Sequence, residues 1–276
     1  MPQQLPSSVA DAQRTAATGD ALVGRDALVG REARGGCKAT ASPEPAWSQL
    51  YALRKEMATR FGKDVFRLPI RRRVREVLCG QLTDGERVLE VGAGDRKMGG
   101  QLRKALPHLR YESMDIDRSW PHDYYSLEDA RGPYDAVFAL EVVEHLPLAE
   151  IGPWLGELKS RLQPGGRLIL STPNTFYPPA YLRDATHCTP LCYDELAGLV
   201  AAAGLEVGAI CRIYHDPVHR KLWRRYALGW LFRAIGIDFA RQIVLVARRP
   251  LPENLTRRGE DAKGLRRQEK RRKGER

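Results

Sequence analysis

Residues 87–95 of the chain have the sequence RVLEVGAGD. The apolar run is typical of a buried β-strand, and Gly92 and Gly94 predict a turn at its end. Residues 111–117, YESMDID, predict a second strand that ends in acidic residues. Glycines let a backbone approach a ligand closely, and an acid about 20 residues beyond such a turn can bind both ribose hydroxyls. The two segments together predict a site for a nucleoside that carries a charged tail.

A dinucleotide site is the first alternative, because the same strand-and-turn arrangement serves such cofactors. It requires a third glycine three residues after the second, where helix and strand pack closely. That position is Lys97 in this chain, so the dinucleotide pattern is incomplete.

Four further segments follow in order: YDAVFALEVVEHL at 134–146, LQPGGRLILSTPN at 162–174, Thr186-His187, and LVAAAGLEV at 199–207. The whole series resembles the class I S-adenosylmethionine-dependent methyltransferases. It looks most like the branch that includes ubiquinone-biosynthesis O-methyltransferases and small-RNA 2′-O-methyltransferases. The resemblance covers roughly residues 85 to 248.

The resemblance implies an α/β fold with a doubly wound, Rossmann-like sheet of seven mostly parallel strands, the last of them antiparallel. It also implies that S-adenosyl-L-methionine is the cofactor. Its methionine part would lie against the turn, its ribose on Asp115 and its adenine beside Ile116, while Leu140 and Glu141 would line the mouth near the sulfonium. The cofactor-binding residues are then Glu90, Gly92, Ala93, Gly94, Asp115, Ile116, Leu140 and Glu141. The chain departs from the family pattern at Arg96, where many members carry a third glycine.

Two acids remain as competitors or additions at this site. Asp117 lies close enough to Asp115 to take the ribose in its place. If an acid contacts the adenine, Asp123 is the candidate, within an abbreviated third strand near residues 122–125.

The candidates for chemistry lie after the third long strand. If a helix starts there, Glu141 and Glu144 share one face, with His145 beside them. His187 arrives from the loop after the next strand, which opens on the same edge of the sheet. Two carboxylates and two imidazoles can hold Mg²⁺ or Mn²⁺, and in the two branches named above this pattern supplies metal ligands. Without a metal, His187 or His145 is the candidate catalytic base, or the histidine simply pairs with a carboxylate.

The chain of 276 residues is long enough for one α/β domain with extensions, and 43% of its residues are hydrophobic. We divide it into a disordered leader (1–45), a methyltransferase domain (46–250) and a basic disordered tail (251–276). Within the domain we expect cover helices at about 47–61 and 70–82, a cofactor-binding core over 85–213, a basic aromatic helical insertion over 214–240 and the last strand over 241–250.

The formal charge of +11 is unevenly spread: the leader is neutral and the tail carries a net +5. Five irregularly spaced cysteines indicate reduced thiols and a cytoplasmic protein. No apolar run reaches the roughly 18 residues that a membrane span needs. The insertion combines tryptophans with arginines, which is typical of a lid or cover over the acceptor, or of peripheral contact with an anionic membrane.

The leading hypothesis is therefore O-methylation of a small-molecule, glycan or lipid-like acceptor. An RNA 2′-O-methyltransferase with a divalent metal is the alternative within the enzyme class; it is not favoured, because the sequence contains no recognisable RNA-binding module. A third hypothesis is a non-catalytic, cofactor-binding interaction subunit, which Arg96 and Lys97 at the turn suggest. The sequence does not identify the acceptor, because fold does not set function.

Overall fold

The computed structural model describes residues 47–252 except residue 216. Seven strands form one sheet in the order β1-β6-β7-β5-β4-β2-β3. Every neighbouring pair is parallel except those of β7, which runs antiparallel to both β5 and β6. The predicted sheet, with its antiparallel last strand, is confirmed. The strands are Ile70–Arg71 (β1), Arg87–Val91 (β2), Arg110–Met114 (β3), Tyr134–Leu140 (β4), Leu162–Pro173 (β5), Glu206–Ile213 (β6) and Gln242–Arg248 (β7).

Helices cover both faces of the sheet. Alternating residues of β4 point to opposite sides, so that Val137 and Ala139 join a core beneath α4 and α6, whereas Ala136 and Phe138 join a second core beneath α2 and α3. No helix among the described residues is both long and apolar enough to cross a membrane. The α-helices are Trp47–Phe61 (α1), Val74–Gln81 (α2), Lys97–Ala105 (α3), Leu148–Arg161 (α4), Pro178–Leu182 (α5), Tyr193–Ala202 (α6), Val218–Leu222 (α7) and Gly229–Ala234 (α8), with 3₁₀ turns at Val65–Arg67 and Val143–His145 and a π-helical turn at Trp223–Ala227.

The helix predicted over 70–82 is shorter than expected, because its first two residues form strand β1 instead. Ile70 and Arg71 pair with the end of β6, where the amide of Arg212 donates to the carbonyl of Pro69 and that of Tyr214 to the carbonyl of Arg71. The helix begins only at Val74. The strand expected near residues 122–125 is reduced to a single parallel bridge between Tyr124 and Met114. The seven strands therefore include β1, an edge strand paired with β6 that the resemblance did not predict.

The sequence predicts a helical insertion over 214–240. The structure divides its helical part into α7, the π-helical turn and α8 in succession. The π-helical turn shifts the helical register between α7 and α8. Trp223, Tyr226 and Trp230 are each at least 66% exposed. The aromatic side chains of the insertion are therefore largely exposed to solvent, and its role as a lid, a cover or a membrane contact stays a prediction. The leader, residue 46 and the tail beyond residue 252 lie outside the described residues.

A buried ion pair ties β6 to the segment before β7. The Arg212 guanidinium donates to Asp238 at 2.8 Å, and the Asn174 amide donates to the other oxygen of Asp238 at 2.9 Å. Asp238 and Asn174 are fully buried, and Arg212 is nearly so. The network holds the carboxyl end of β5 against the entry to β7, where the candidate site opens.

Replacement of Asp238 by alanine leaves the Arg212 charge buried and unpaired. Breaking such a pair costs about 3–5 kcal/mol. Denaturant unfolding of Asp238→Ala should show that loss. The matched control is Arg110→Ala, which removes a largely exposed partner 4.0 Å from Asp135, and should change stability by about 1 kcal/mol or less. Equal effects of the two changes would contradict a structural role for the buried pair.

Candidate functional site

The predicted site residues meet at the carboxyl ends of β2, β3, β4 and β5. Chain order reverses around β2, because β3 lies on one side of it and β4 on the other. Ligands of open α/β sheets bind in the crevice at such a switch point. The arrangement therefore places the ligand site where the sequence motifs end.

The glycine turn (residues 92–96) connects β2 to α3. Gly92 has a φ of +73°, and a Cβ at this position would overlap the side chain of Val142. Gly94 has a φ of +46° with open space around it, and Arg96 also lies in the left-handed region, at +59°. The turn thus keeps an unusual backbone at the position of the missing third glycine.

Glu90 is buried in β2 just before the turn. It accepts a hydrogen bond from the Tyr111 hydroxyl at 2.5 Å. Burial raises the pKa of Glu90 to about 7, although the bond from Tyr111 and a backbone contact at Gly99 lower it. The Tyr111 ring occupies the place that a Cβ on Gly99 would need. Glu90 therefore supports the turn from within the protein through Tyr111.

Asp115 follows β3 directly and lies against the glycine turn, which agrees with the predicted ribose site. Its two oxygens accept from the amides of Gly94, at 2.7 Å, and Asp117, at 2.9 Å. A carboxylate has about four lone-pair sites, so two remain for hydroxyl donors. The competitor Asp117 binds Ser119 through both the amide and the hydroxyl of that serine.

The loop after β3 connects back to the glycine turn through Arg96. The Arg96 guanidinium donates to the carbonyl of Pro121 at 2.9 Å and to Asp123 at 3.4 Å. The same Asp123 oxygen accepts from the amide and hydroxyl of Ser113. Ile116, predicted beside the adenine, is 81% exposed on this rim.

The mouth of the site, Leu140 and Glu141, lies at the end of β4. Glu141 has a φ of +56° and precedes the 3₁₀ turn, so the expectation that Glu141 and Glu144 share one helical face is wrong. Its carboxylate accepts from the Ser171 hydroxyl at 2.7 Å, and burial raises its pKa. A left-handed residue that is not glycine at this position is strained, and such strain is concentrated at functional sites.

The histidine cluster consists of Glu144, His145 and His187. One candidate ligand atom from each residue lies within 4.8 Å of the others. Glu141, the fourth predicted ligand, is not part of this group, because its carboxylate is bound to Ser171.

Glu144 is completely buried beneath the two histidines. Neither carboxylate oxygen has a partner with good hydrogen-bond geometry among the described residues. Burial, together with the charge of Glu141, raises the pKa of Glu144 to about 8, although the nearby Thr172 hydroxyl lowers it. An unpartnered buried carboxylate is costly and points to a ligand, a proton or a cation at this place.

Backbone contacts orient both imidazoles. The Nδ1 of His187 lies 2.7 Å from the carbonyl of Tyr181, which makes it the protonated nitrogen and leaves Nε2 as an acceptor. The Nδ1 of His145 lies 3.0 Å from the Thr186 hydroxyl, and the two imidazole centroids are 4.8 Å apart. The amides of Cys188 and Thr189 donate to the carbonyl of Glu144 and hold this loop on the 3₁₀ turn.

A cavity of about 720 Å³ opens above the cluster, and we call it the acceptor cavity. A second cavity, of about 380 Å³, extends toward Leu140 and Met98, and the two share His215 and Gln242. Asp115 lines neither of these two cavities. The acceptor cavity is lined by Glu141, His145, Tyr177, Pro179, Ala180, Arg183, Asp184, His187, His215, Arg241 and Gln242.

The sequence reasoning identified only three of these lining residues. Nothing in the sequence indicated an interacting residue for His215, and Arg183 and Arg241 lie in no motif. Gln242 is the first residue of the predicted last strand, which runs antiparallel and so brings its amino end to this edge. The expected antiparallel direction of the last strand was therefore the one sequence feature that could have predicted Gln242 at the cavity.

Residues 61–240 match the family model described as a methyltransferase domain. The ribosomal RNA small subunit methyltransferase C of Chromohalobacter salexigens is 31% identical over 52% of this chain and 50% of its own length. The ubiquinone biosynthesis O-methyltransferase of Azorhizobium caulinodans is 28% identical over 51% of this chain and 66% of its own. The chain thus spans between half and about two thirds of these relatives. A crystal structure of an S-adenosylmethionine-dependent methyltransferase from Archaeoglobus fulgidus has a TM-score of 0.47 and 16% identity, covering 63% of this chain and 94% of its own.

The chain belongs to the methyltransferase-domain family, because the family model covers more than half of it. The resemblance to the class I S-adenosylmethionine-dependent methyltransferases is confirmed by that match and by the seven-stranded sheet.

Asp115→Ala should weaken the binding of S-adenosylhomocysteine by more than about tenfold, since each hydrogen bond to a charged group contributes about 1.5–3 kcal/mol. Isothermal titration calorimetry measures the change. Asp117→Ala is the matched control and should bind nearly as wild type. Unchanged affinity in Asp115→Ala, with a loss in Asp117→Ala, would move the ribose site to Asp117.

Proposed function

We propose that the protein transfers a methyl group from S-adenosylmethionine to a hydroxyl of a small-molecule, glycan or lipid-like acceptor. The observation that carries this proposal is the position of the His187 Nε2 acceptor on the acceptor cavity, beside the mouth at Glu141. Such a group accelerates methyl transfer to a hydroxyl by roughly 10²–10⁴-fold, because it accepts the proton that the acceptor loses.

The residues around the predicted cofactor site suit S-adenosylmethionine. The glycine turn leaves open space at Gly94, next to an acid with free lone pairs at Asp115. When bound, the sulfonium of this cofactor supplies an electrophilic methyl carbon. The remaining work of the protein is alignment, which can supply as much as roughly 7–11 kcal/mol in ideal cases.

His187 is the candidate general base. The carbonyl of Tyr181 holds its Nδ1 proton, so Nε2 can accept the proton of the acceptor hydroxyl. His145 packs edge-on against the His187 ring and limits its rotation. With its proton accepted by His187, the acceptor oxygen would be able to attack the methyl carbon that S-adenosylmethionine would supply, with the thioether as the leaving group.

Replacement of His187 by glutamine should lower the methyl-transfer rate by roughly 10²–10⁴-fold, the usual contribution of a general base, and leave S-adenosylhomocysteine affinity unchanged. The assay follows transfer from methyl-labelled cofactor into a cell extract, with mass analysis of the product. His108→Gln, an exposed histidine remote from the cavity, is the matched control. Full activity in His187→Gln would contradict its role as base.

A non-catalytic, cofactor-binding subunit remains the alternative from a different class. It would bind S-adenosylhomocysteine tightly and give no labelled product with any extract. That result would contradict the enzymatic proposal but not the cofactor site.

A divalent cation at the histidine cluster is an alternative to the free base, because it would occupy the Nε2 of His187, and it fits the donor set. Glu144 offers two buried oxygens without partners, and His145 and His187 add nitrogens within 4.8 Å. His187 donates its other ring proton to a carbonyl, the usual support of a metal-binding imidazole. With a carboxylate in the set, Mg²⁺ or Mn²⁺ would lower the pKa of a bound acceptor hydroxyl.

The raised pKa of Glu144 gives the cation proposal a direct test. A cation needs the carboxylate form, so Mn²⁺ binding near neutral pH should release a proton, and its affinity should rise as the pH approaches about 8. Calorimetry in buffers of different ionisation enthalpy measures the proton count. Glu144→Gln should lose the binding, with Glu150→Gln, an exposed residue near the start of α4, as control. Methyl transfer undiminished by chelation would contradict a catalytic cation.

RNA is the alternative acceptor, and the candidate metal cluster and the exposed arginines beside it are the observations that motivate it. The relative from Chromohalobacter salexigens is named as a ribosomal RNA methyltransferase. An RNA enzyme would bind RNA with strongly salt-dependent affinity, because counterions are released from the phosphates. The basic tail, which could contribute to such binding, lies outside the described residues.

A further inference from the structure

Two arginines line the acceptor cavity, and each comes from a different part of the fold. Arg183 ends α5, and Arg241 immediately precedes β7. Among the described residues, neither guanidinium takes part in an ion pair or a side-chain hydrogen bond. By contrast, Arg54, Arg87, Arg167 and Arg212 are all paired with carboxylates.

In the part of the chain that the structure describes, the carboxylates of the same cavity form no ion pair with these two arginines. Asp184 accepts from the amide and hydroxyl of Thr186, and its other oxygen lies 3.9 Å from the Nε2 of His187. Glu141 is bound to the Ser171 hydroxyl at the base of the cavity. Both carboxylates therefore already have partners, and the two guanidiniums keep free donors toward the open space.

A guanidinium is a planar fork of donors that matches the oxygens of carboxylate and phosphate. A volume of about 720 Å³ lies within the range of small-ligand pockets, about 300–1,000 Å³. The cavity therefore suits one compact anion better than a length of polymer.

We propose that the methyl acceptor carries an anionic oxygen group, a phosphate or a carboxylate, in addition to the hydroxyl, and that Arg183 and Arg241 bind this group. The inference rests on the proposed function, because it uses the same cavity as the acceptor site. The two arginines anchor the anion, and the hydroxyl reaches the His145 and His187 side of the cavity. They act on binding and are not the proton acceptors of the reaction.

The first test uses inorganic pyrophosphate as a probe of the anion site, titrated into the full chain saturated with S-adenosylhomocysteine. Chelator is present throughout, so that pyrophosphate does not act through a metal. Wild type should bind the probe, and Arg183→Gln/Arg241→Gln should bind it at least about tenfold more weakly, the usual loss for a charge-assisted pair. S-adenosylhomocysteine affinity should be equal in both proteins.

The matched control is Arg131→Gln/Arg248→Gln. It removes the same charge from exposed positions at the opposite ends of the strands, away from the cavity. This variant should bind pyrophosphate as wild type does. Equal pyrophosphate affinity in the wild type and the cavity variant, with cofactor binding intact, would overturn the inference alone. Failure of wild type to bind S-adenosylhomocysteine would instead overturn the proposed function.

The second test identifies the anion from the labelled product of the extract assay. A product that is retained on an anion exchanger, and whose yield falls in the cavity variant but not in the control, supports the proposal. Loss of retention after phosphatase treatment identifies a phosphate monoester, and mass analysis of a product that is still retained distinguishes a phosphodiester from a carboxylate. A neutral labelled product, or a labelled RNA whose binding depends on Arg183 and Arg241, would overturn the proposal of a small anionic acceptor.

Discussion

The absence of a side chain at Gly92 is the constraint on which the site depends. The turn after β2 passes the turn after β4 so closely that a Cβ on Gly92 would overlap Val142. This contact brings the glycine turn, which binds Asp115 through Gly94, beside the mouth at Glu141. The predicted cofactor side and the proposed acceptor side of the site therefore meet where Gly92 contacts the Val142 side chain. A larger residue at position 92 would push the turns after β2 and β4 apart, because a close-packed interior has no free space for the added side chain.

Two buried acids lie on either side of that contact and differ in how they are compensated. Glu90 has the Tyr111 hydroxyl, and its pKa is raised to about 7. Glu144 has no well-placed partner, and its pKa is raised further, to about 8. The compensated acid supports the turn, whereas the uncompensated one lies under two histidines on the cavity. This difference is why the proposed cation is placed at Glu144 and a structural role at Glu90.

Most of the sheet and the cofactor side could be predicted because their signals are local. Glu90, Gly92, Gly94 and Asp115 lie in short motifs at strand ends, and parallel strands necessarily bring those ends to one edge. The predictions failed where local pattern competes with long-range pairing. Residues 70–71 look helical by composition but are held as a strand by β6. Glu141 and Glu144 have helical spacing, but the chain turns through a left-handed Glu141 to reach Ser171.

The sequence by itself determined the class of fold and the family, and it predicted the acids and glycines of a nucleoside site, since these signals lie within single segments. Only the tertiary structure decided what surrounds the acceptor. Arg183, His215, Arg241 and Gln242 come from segments with no motif, and they meet because β7 runs antiparallel between β5 and β6. The physical reason is that a cavity is a property of elements packed together. The sequence of one segment does not show which distant side chains will line the same cavity.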